Sequence, residues 1–476
     1  RVAPGHPSGS VALELAPLTE DLRSVTAGAG NKGLLFGNAL ATEAEPLRGG
    51  VAGASAFLSF DRSSQTDGYG DNDLVRTSAG GRLGAVSDAL QGDLVTAYSW
   101  REFGARGFYG AAPGYPAQER VHDALVAGSL RWIEDPLNPA RVTAAWRRTE
   151  DSYWLDRNNH AFYENEHTTD FFALHGDTRR TFSEQFTLDL RADCDLETID
   201  SASLGDHTRR HLSFAALPNY TVGALTGTLG GSLDAFSDDD PAWLPAAGLE
   251  WLVTDTQALF LSYTEAVRQP SYTELNYESP ASLGNAGLDR QQTRTVEGGW
   301  RGQAGGYTWR TALFWEEGSD IVDWIRTAPD SRWQSVNLDE IRTFGVTADG
   351  RVPLGNETDF GGDLLALAKS CDDDYYASRY ALDYPETAVG ATLRHRFTRA
   401  LLFRLRQAVS VYEGNAVRAH DDWFVNTGAE LQWRLPRVSA FTLSAGVDNL
   451  LDDDFQVYPG QETAGRRYFA SLAYTW

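Results

Sequence analysis

An all-β fold, a transmembrane antiparallel β-barrel of roughly 22 strands, is what this sequence predicts. Three observations lead there. The chain ends on a strand of alternating character, the same alternation recurs from one end to the other, and the connections between segments are alternately short and long. In the last nine residues, Tyr468, Ala470, Leu472, Tyr474 and Trp476 share one face, and Phe469, Ser471, Ala473 and Thr475 share the other. A period of two with one apolar face is the pattern of a half-buried strand. A terminal indole wastes apolar surface in water but fits the aromatic girdle of an outer-membrane barrel.

Further alternating segments are Leu94–Phe103, Val142–Thr149, Phe186–Leu196, Leu259–Thr264, Tyr307–Trp315, Leu401–Val411 and Phe441–Val447. Turn clusters such as Asn138-Pro139, Asp238-Asp239-Asp240-Pro241 and Gly355-Asn356 separate strands. The long connections are read as Phe103–Arg120, Tyr153–Thr169, Gln269–Arg290 and Asp372–Pro385. Short turns on one rim and long loops on the other are the habit of outer-membrane barrels. No linker, low-complexity tract or helical block divides the chain, so it reads as one barrel.

Composition agrees. No run of 18 apolar residues exists, so no transmembrane helix is expected. A mean hydropathy of −0.37 is nevertheless compatible with barrel strands, whose polar faces dilute the signal. The chain has 14 Trp and 46 Gly, which favours β structure. The net charge of −25 disfavours a nucleic-acid partner, which would need a basic face. Cys194 and Cys371 are far apart and form no CxxC, so their pairing stays open. Nothing resembles a nucleophile elbow, and no catalytic residues are assigned; the expectation is a protein that is not an enzyme.

Several motifs then become specific. Ser262–Leu275 (SYTEAVRQPSYTEL), Gly284–Arg290, Val296–Trp300, Ala312–Ile325 (ALFWEEGSDIVDWI), Asn337–Val346 and Val447–Phe455, closed by Tyr468–Trp476, resemble in order the barrel signature of TonB-dependent outer-membrane receptors. The resemblance covers nearly the whole chain. Phe103–Gly110 with Tyr115-Pro116, Asp156–Thr169, Ser203–Arg209 and Tyr458–Arg466 look like the cobalamin-receptor branch of that family. The resemblance implies a Gram-negative outer-membrane location, contact with outer-membrane lipid, and uptake of cobalamin or another corrinoid. It also implies energy coupling through TonB and admits a surface accessory lipoprotein as partner. A ferric siderophore receptor is the nearest rival. The resemblance implies an N-terminal plug, and the expectation is that this chain carries none; residues 1–20 resemble at most a remnant of plug or linker, and 21–476 the barrel. A plugless porin-like diffusion channel is therefore a third reading.

The loops supply the candidate site. Tyr109, Tyr115, Tyr153, Trp154, Phe162 and Tyr163 offer flat surfaces for a large planar ligand, and equally read as loop packing or an interface girdle. Asn165 and His167 lie beside them as polar ligand contacts. Arg157, Arg268 and Arg209 can meet acidic groups of a ligand, or pair with the protein's own carboxylates. His160, His167 and His207, near Glu164, Glu166 and Asp206, fit no standard zinc spacing and read as hydrogen-bonding loop tips. Asp67, Asp71 and Asp73 form an oxygen-rich hairpin. It is read either as a calcium site, as the cobalamin branch implies, or as a plain turn. No other cofactor is required.

Overall fold

A computed structural model describes residues 15–64, 71–106, 115–372, 375–419, 421–436, 438–459, 461–463 and 465–476. The wall strands in its first half are β1 (Leu22–Gly30), β2 (Leu35–Leu47), β3 (Gly50–Ser63), β4 (Leu74–Ser87), β5 (Leu90–Gly104), β6 (Gln118–Trp132), β7 (Ala140–Trp154), β8 (Glu164–Thr181), β9 (Phe186–Ser201), β10 (His207–Val222) and β11 (Leu225–Phe236). β12 (Ala242–Thr254) and β13 (Gln257–Arg268) follow, then a short helix α1 (Tyr272–Asn276) and a two-residue β14 (Ser282–Leu283). The wall resumes with β15 (Gln291–Ala304), β16 (Tyr307–Arg326), β17 (Trp333–Pro353) and β18 (Thr358–Cys371). After the short β19 (Ala377–Ser378) come β20 (Pro385–Thr398), β21 (Leu401–Tyr412), β22 (Trp423–Arg434) and β23 (Phe441–Asp448). A small ribbon of β24 (Gln456–Tyr458) and β25 (Gln461–Glu462) precedes the last wall strand, β26 (Arg467–Thr475).

Each wall strand pairs antiparallel with its neighbours, and β1 pairs with both β2 and β26, so 22 strands close into a barrel. Closure leaves no free edge in the bilayer, where an unpaired backbone group would cost several kcal/mol. The segments that the alternation singled out fall inside wall strands, except that Trp476 follows the end of β26 by one residue.

The pleat sorts the side chains. Leu83, Leu174, Leu212, Phe214, Leu229, Leu313 and Leu472 point outward and are exposed, as a lipid-facing belt must be in the isolated chain. Trp132, Phe182, Tyr220, Trp251, Tyr307, Phe397, Trp433 and Trp476 ring the short-turn rim. Trp476 stacks on Tyr474 at 4.8 Å, and Tyr474 packs on Phe441 at 4.6 Å, so the terminal indole belongs to that girdle. The lumen face carries ion pairs: Arg82–Asp93 at 2.5 Å, Arg101–Asp123 at 2.8 Å, Arg141–Asp177 at 2.8 Å, Arg179–Asp189 at 2.7 Å and Arg404–Glu430 at 3.0 Å. His175 bridges Asp177 and Asp193 at 2.9 and 2.6 Å. The segment before β1 lies on this inner wall. Gly53 and Gly84 face each other across β3 and β4, and a Cβ on Gly53 would come within 2.5 Å of Leu18 Cβ. Small residues there make the seat for Leu18.

Strand height is uneven. β23 has 8 residues, whereas β16 has 20 and β17 has 21. Crossing a bilayer takes about 9–11 residues, so the β16–β17 hairpin stands well above the membrane. Its apex is also turned over. In the wall the order is β15–β16–β17–β18, yet above it β14 pairs with β17 and β19 pairs with β16. The apical order is thus β14–β17–β16–β19, each flank taken by the connection from the opposite side. Asp320, at φ 55°, marks the level of the turnover, with Ser319 and Ile321 still paired to Glu340 and Leu338.

Two expectations about the long connections are corrected. β7 continues to Trp154 and β8 begins at Glu164, so the connection expected over Tyr153–Thr169 is only residues 155–163. Its polar flanks are strand residues above the lipid belt. Conversely, residues 449–466 form a long connection on the same rim that the turn signals did not mark.

Candidate functional site

The long-loop rim, the extracellular one by the usual barrel asymmetry, is where the candidate residues gather. Tyr153 and Trp154 end β7 and are buried. Tyr153 meets Tyr163 edge-on at 6.5 Å. Trp154 stacks on His160 at 4.2 Å, lies under the Arg120 guanidinium at 5.2 Å, and donates its indole N–H to Glu164 at 2.5 Å. Asn165 donates to the Tyr163 hydroxyl at 2.9 Å, and His167 Nδ1 meets Ser201 Oγ at 2.6 Å. These side chains pack the loop against the wall. Tyr115 and Phe162 differ: they stack at 5.9 Å and both remain exposed. Tyr109 and Asp67 lie outside the described residues.

The three arginines face the protein's own groups. Arg157 holds both oxygens of Asp73, at 2.6 and 3.0 Å, and reaches Asp71 at 3.4 Å. Its backbone N–H donates to the Pro116 carbonyl at 2.9 Å, so one residue ties three connections together. The hydrogen bond from Arg157 holds the Asp73 carboxyl below its usual range, against the opposing effect of partial burial. A guanidinium thus already stands against two of the three carboxylates read as a calcium hairpin. Arg268 grips Glu274 through two bonds of 3.0 Å and donates to Gln291 at 2.6 Å. Arg209 reaches Asp238 at 3.2 Å and lies over Tyr272 at 4.9 Å. His207 stacks on the other partner of that contact, the Tyr272 ring, at 5.0 Å. The three histidines are therefore dispersed. Among the described residues no group of three His, Cys, Asp or Glu is arranged to hold a metal.

The turned-over hairpin brings together residues that sequence reasoning did not select. Trp324, Trp333 and Ala377 form a buried cluster with Tyr277 and Val417 packed against it, so four connections meet there. The Tyr277 phenol is pushed well above its ordinary range, first by burial and then by its hydrogen bond with Tyr163, which extends the contact to the β7–β8 connection. Arg326 lies over the Trp333 ring at 4.6 Å and Arg379 over the same ring at 5.7 Å; Arg379 also lies 5.4 Å from the Tyr380 ring. Among the described residues neither guanidinium is paired with a carboxylate, and Arg326 Nε is buried without an acceptor. Tyr376 and Tyr380 are exposed beside them.

A second cluster locks this one in place. Arg418 and Asp383, with side chains only 2% and 1% exposed, pair at 2.8 and 2.9 Å. Asn415 donates to the Ser378 carbonyl at 2.8 Å and to Asp383 at 3.0 Å, while Arg418 donates to the Gln456 carbonyl at 2.5 Å. The connections after β18, β21 and β23 are thereby knotted together.

A barrel of this size with a loop-built mouth matches one known family. The model of the family described as "TonB dependent receptor-like, beta-barrel" matches residues 23–450. The chain belongs to the TonB-dependent receptor barrel family. Its place is the outer membrane of a Gram-negative cell. Solved receptors share the fold of this TonB-dependent receptor. The siderophore receptor PirA of Pseudomonas aeruginosa is 15% identical, with a TM-score of 0.74 over 97% of this chain and 81% of that one. A mutant of the ferric enterobactin receptor PfeA of the same organism, in complex with enterobactin, is 14% identical, with a TM-score of 0.77 over 97% and 82%. The FrpB iron transporter of Neisseria meningitidis is 12% identical, with a TM-score of 0.75 over 96% and 82%.

One signal for the missed cluster was present in the sequence. Tyr307–Arg326 keeps apolar residues on both sides of Gly318-Ser319-Asp320 over 20 residues and is about twice a membrane crossing, so its second half stands above the bilayer.

Proposed function

We propose that this TonB-dependent receptor takes up an anionic ferric chelate of the aromatic, catecholate kind, with transport coupled through TonB. The observation that carries the reading is the pair Arg326 and Arg379 against the one Trp333 ring, without carboxylate partners among the described residues, in a chain of net charge −25. Two like charges held close at a partly desolvated site are costly until an anion joins them. Guanidinium groups suit phenolate and carboxylate oxygens, and the exposed rings of Tyr376 and Tyr380 suit a ligand that is itself aromatic. Solved proteins of this fold bear names such as siderophore receptor, ferric enterobactin receptor and iron transporter, which supports the same ligand class.

The expectation of cobalamin has no comparable support. A corrinoid without net negative charge gives two uncompensated cations nothing to neutralise. The test is an equilibrium titration of the purified protein in detergent with ferric tris-catecholate and, separately, with cyanocobalamin. Saturable binding of the ferric chelate, weakened by salt, is the expected result. Saturable binding of cyanocobalamin alone would overturn the proposal.

A further inference from the structure

We infer that Asp323 is a positioning residue that fixes Arg379 at the Trp333 ring. The inference rests on the ligand reading above. Asp323 sits on β16, three residues before Arg326, and is 0% exposed. Its carboxylate joins its own strand to the β18–β20 connection. One oxygen accepts from the amide N–H of Trp324 at 2.7 Å and from that of Tyr380 at 3.1 Å; the other accepts from Ser378 Oγ. Ser378 Oγ in turn accepts from the Leu382 N–H at 2.9 Å. Arg379 lies between the two residues so held, and its own N–H donates to the Trp324 carbonyl at 3.0 Å. On the same edge, the Tyr376 N–H donates to the Arg326 carbonyl at 2.7 Å.

The consequence is geometric. Arg326 and Arg379 come from different connections, 53 residues apart in numbering. One buried carboxylate on the Arg326 strand sets where the second guanidinium stands. The partners of that carboxylate are hydroxyl and amide donors, and it makes no ion pair with either arginine. A carboxylate buried for stability alone is poorly rewarded, since its desolvation offsets much of what its hydrogen bonds return. Fixing the spacing of two cations through accepted hydrogen bonds is a role that an apolar packing residue cannot fill.

The test is a double-mutant cycle on the full chain in detergent, titrated with ferric tris-catecholate. Asp323→Ala is expected to weaken binding about tenfold or more when Arg379 is present, and less than about twofold when Arg379→Ala is already in place. Asp323→Asn keeps an acceptor oxygen for both amides and is expected to stay within about threefold of the parent. Heat-modifiable migration confirms that each barrel is folded. Parent-like affinity in folded Asp323→Ala, or losses that add independently of Arg379, would overturn the inference. If the parent binds no catecholate, the ligand reading fails, and the positioning claim is judged by hydrogen exchange. Asp323→Ala must then speed exchange at the Arg379 amide at least about tenfold, and an unchanged rate rejects it.

Discussion

Replacing Arg418 by Ala should open the extracellular knot while leaving the barrel wall intact. The side chains of Arg418 and Asp383 are almost wholly buried and joined by two short hydrogen bonds. Removing one partner of such a pair strands the other charge in a desolvated site, at a cost of about 3–5 kcal/mol. The Gln456 carbonyl loses its donor and the Tyr412 ring loses a guanidinium 4.3 Å from its centre. If local opening is the route by which these amides exchange, that cost corresponds to roughly 10²- to 10⁴-fold faster exchange. The amides to follow are Leu382, Val417 and Ala419, which donate to Ser378, Asn415 and Gln456 respectively. Amides of β3 to β6 serve as the internal control. Asp383→Ala together with Arg418→Ala removes both charges and should restore part of the protection, because no lone charge remains. Exchange within about threefold of the parent in Arg418→Ala would refute the reasoning, since the pair would then be contributing no more than an exposed one.

Three further outcomes are expected. Asp73 has its pKa lowered chiefly by Arg157, so its contribution to holding the β3–β4 and β7–β8 connections is complete above the ordinary carboxylate value of 3.8 and is lost as the pH falls below it; protection of the Gly104 amide, which donates to the Asp73 carbonyl, should fall in that window and be pH-independent there in Arg157→Ala. Leu229→Arg, on the lipid face, should destabilise the barrel by about 2–4 kcal/mol in denaturant-induced unfolding from vesicles, whereas Thr228→Arg on the lumen face of the same strand should cost far less. Gly53→Val should unseat Leu18 from the inner wall, read as faster proteolysis between Leu15 and Glu20 with no change in heat-modifiable migration.

The barrel was legible because its physics is local. Alternation such as that of Tyr468–Trp476 reports which face meets lipid without knowledge of any partner strand, and each turn pair marks its own reversal. The ion pairing of Arg157, Arg268 and Arg209 was one of two open readings, and the partners that occupy them come from residues 6 to 86 positions away. Trp324, Trp333, Arg326 and Arg379 were not legible as a cluster. They meet only because the β16–β17 apex turns over and accepts β14 and β19 on reversed flanks, and no periodicity in Ala312–Ile325 encodes that crossing. The same holds for Arg418 and Asp383, whose burial depends on three connections closing at once. Local pattern determines the wall; long-range packing of loops determines the mouth.

Uptake of radioiron tests the central claim most directly. Iron-starved cells producing the full chain, in a background without other catecholate receptors, would be supplied with radiolabelled ferric tris-catecholate. The expected result is energy-dependent accumulation that falls about tenfold or more in the Arg326→Ala, Arg379→Ala double variant at equal surface abundance, as for loss of two charge-assisted contacts. Equal accumulation by parent and double variant, or accumulation of labelled cobalamin in place of iron, would contradict the account.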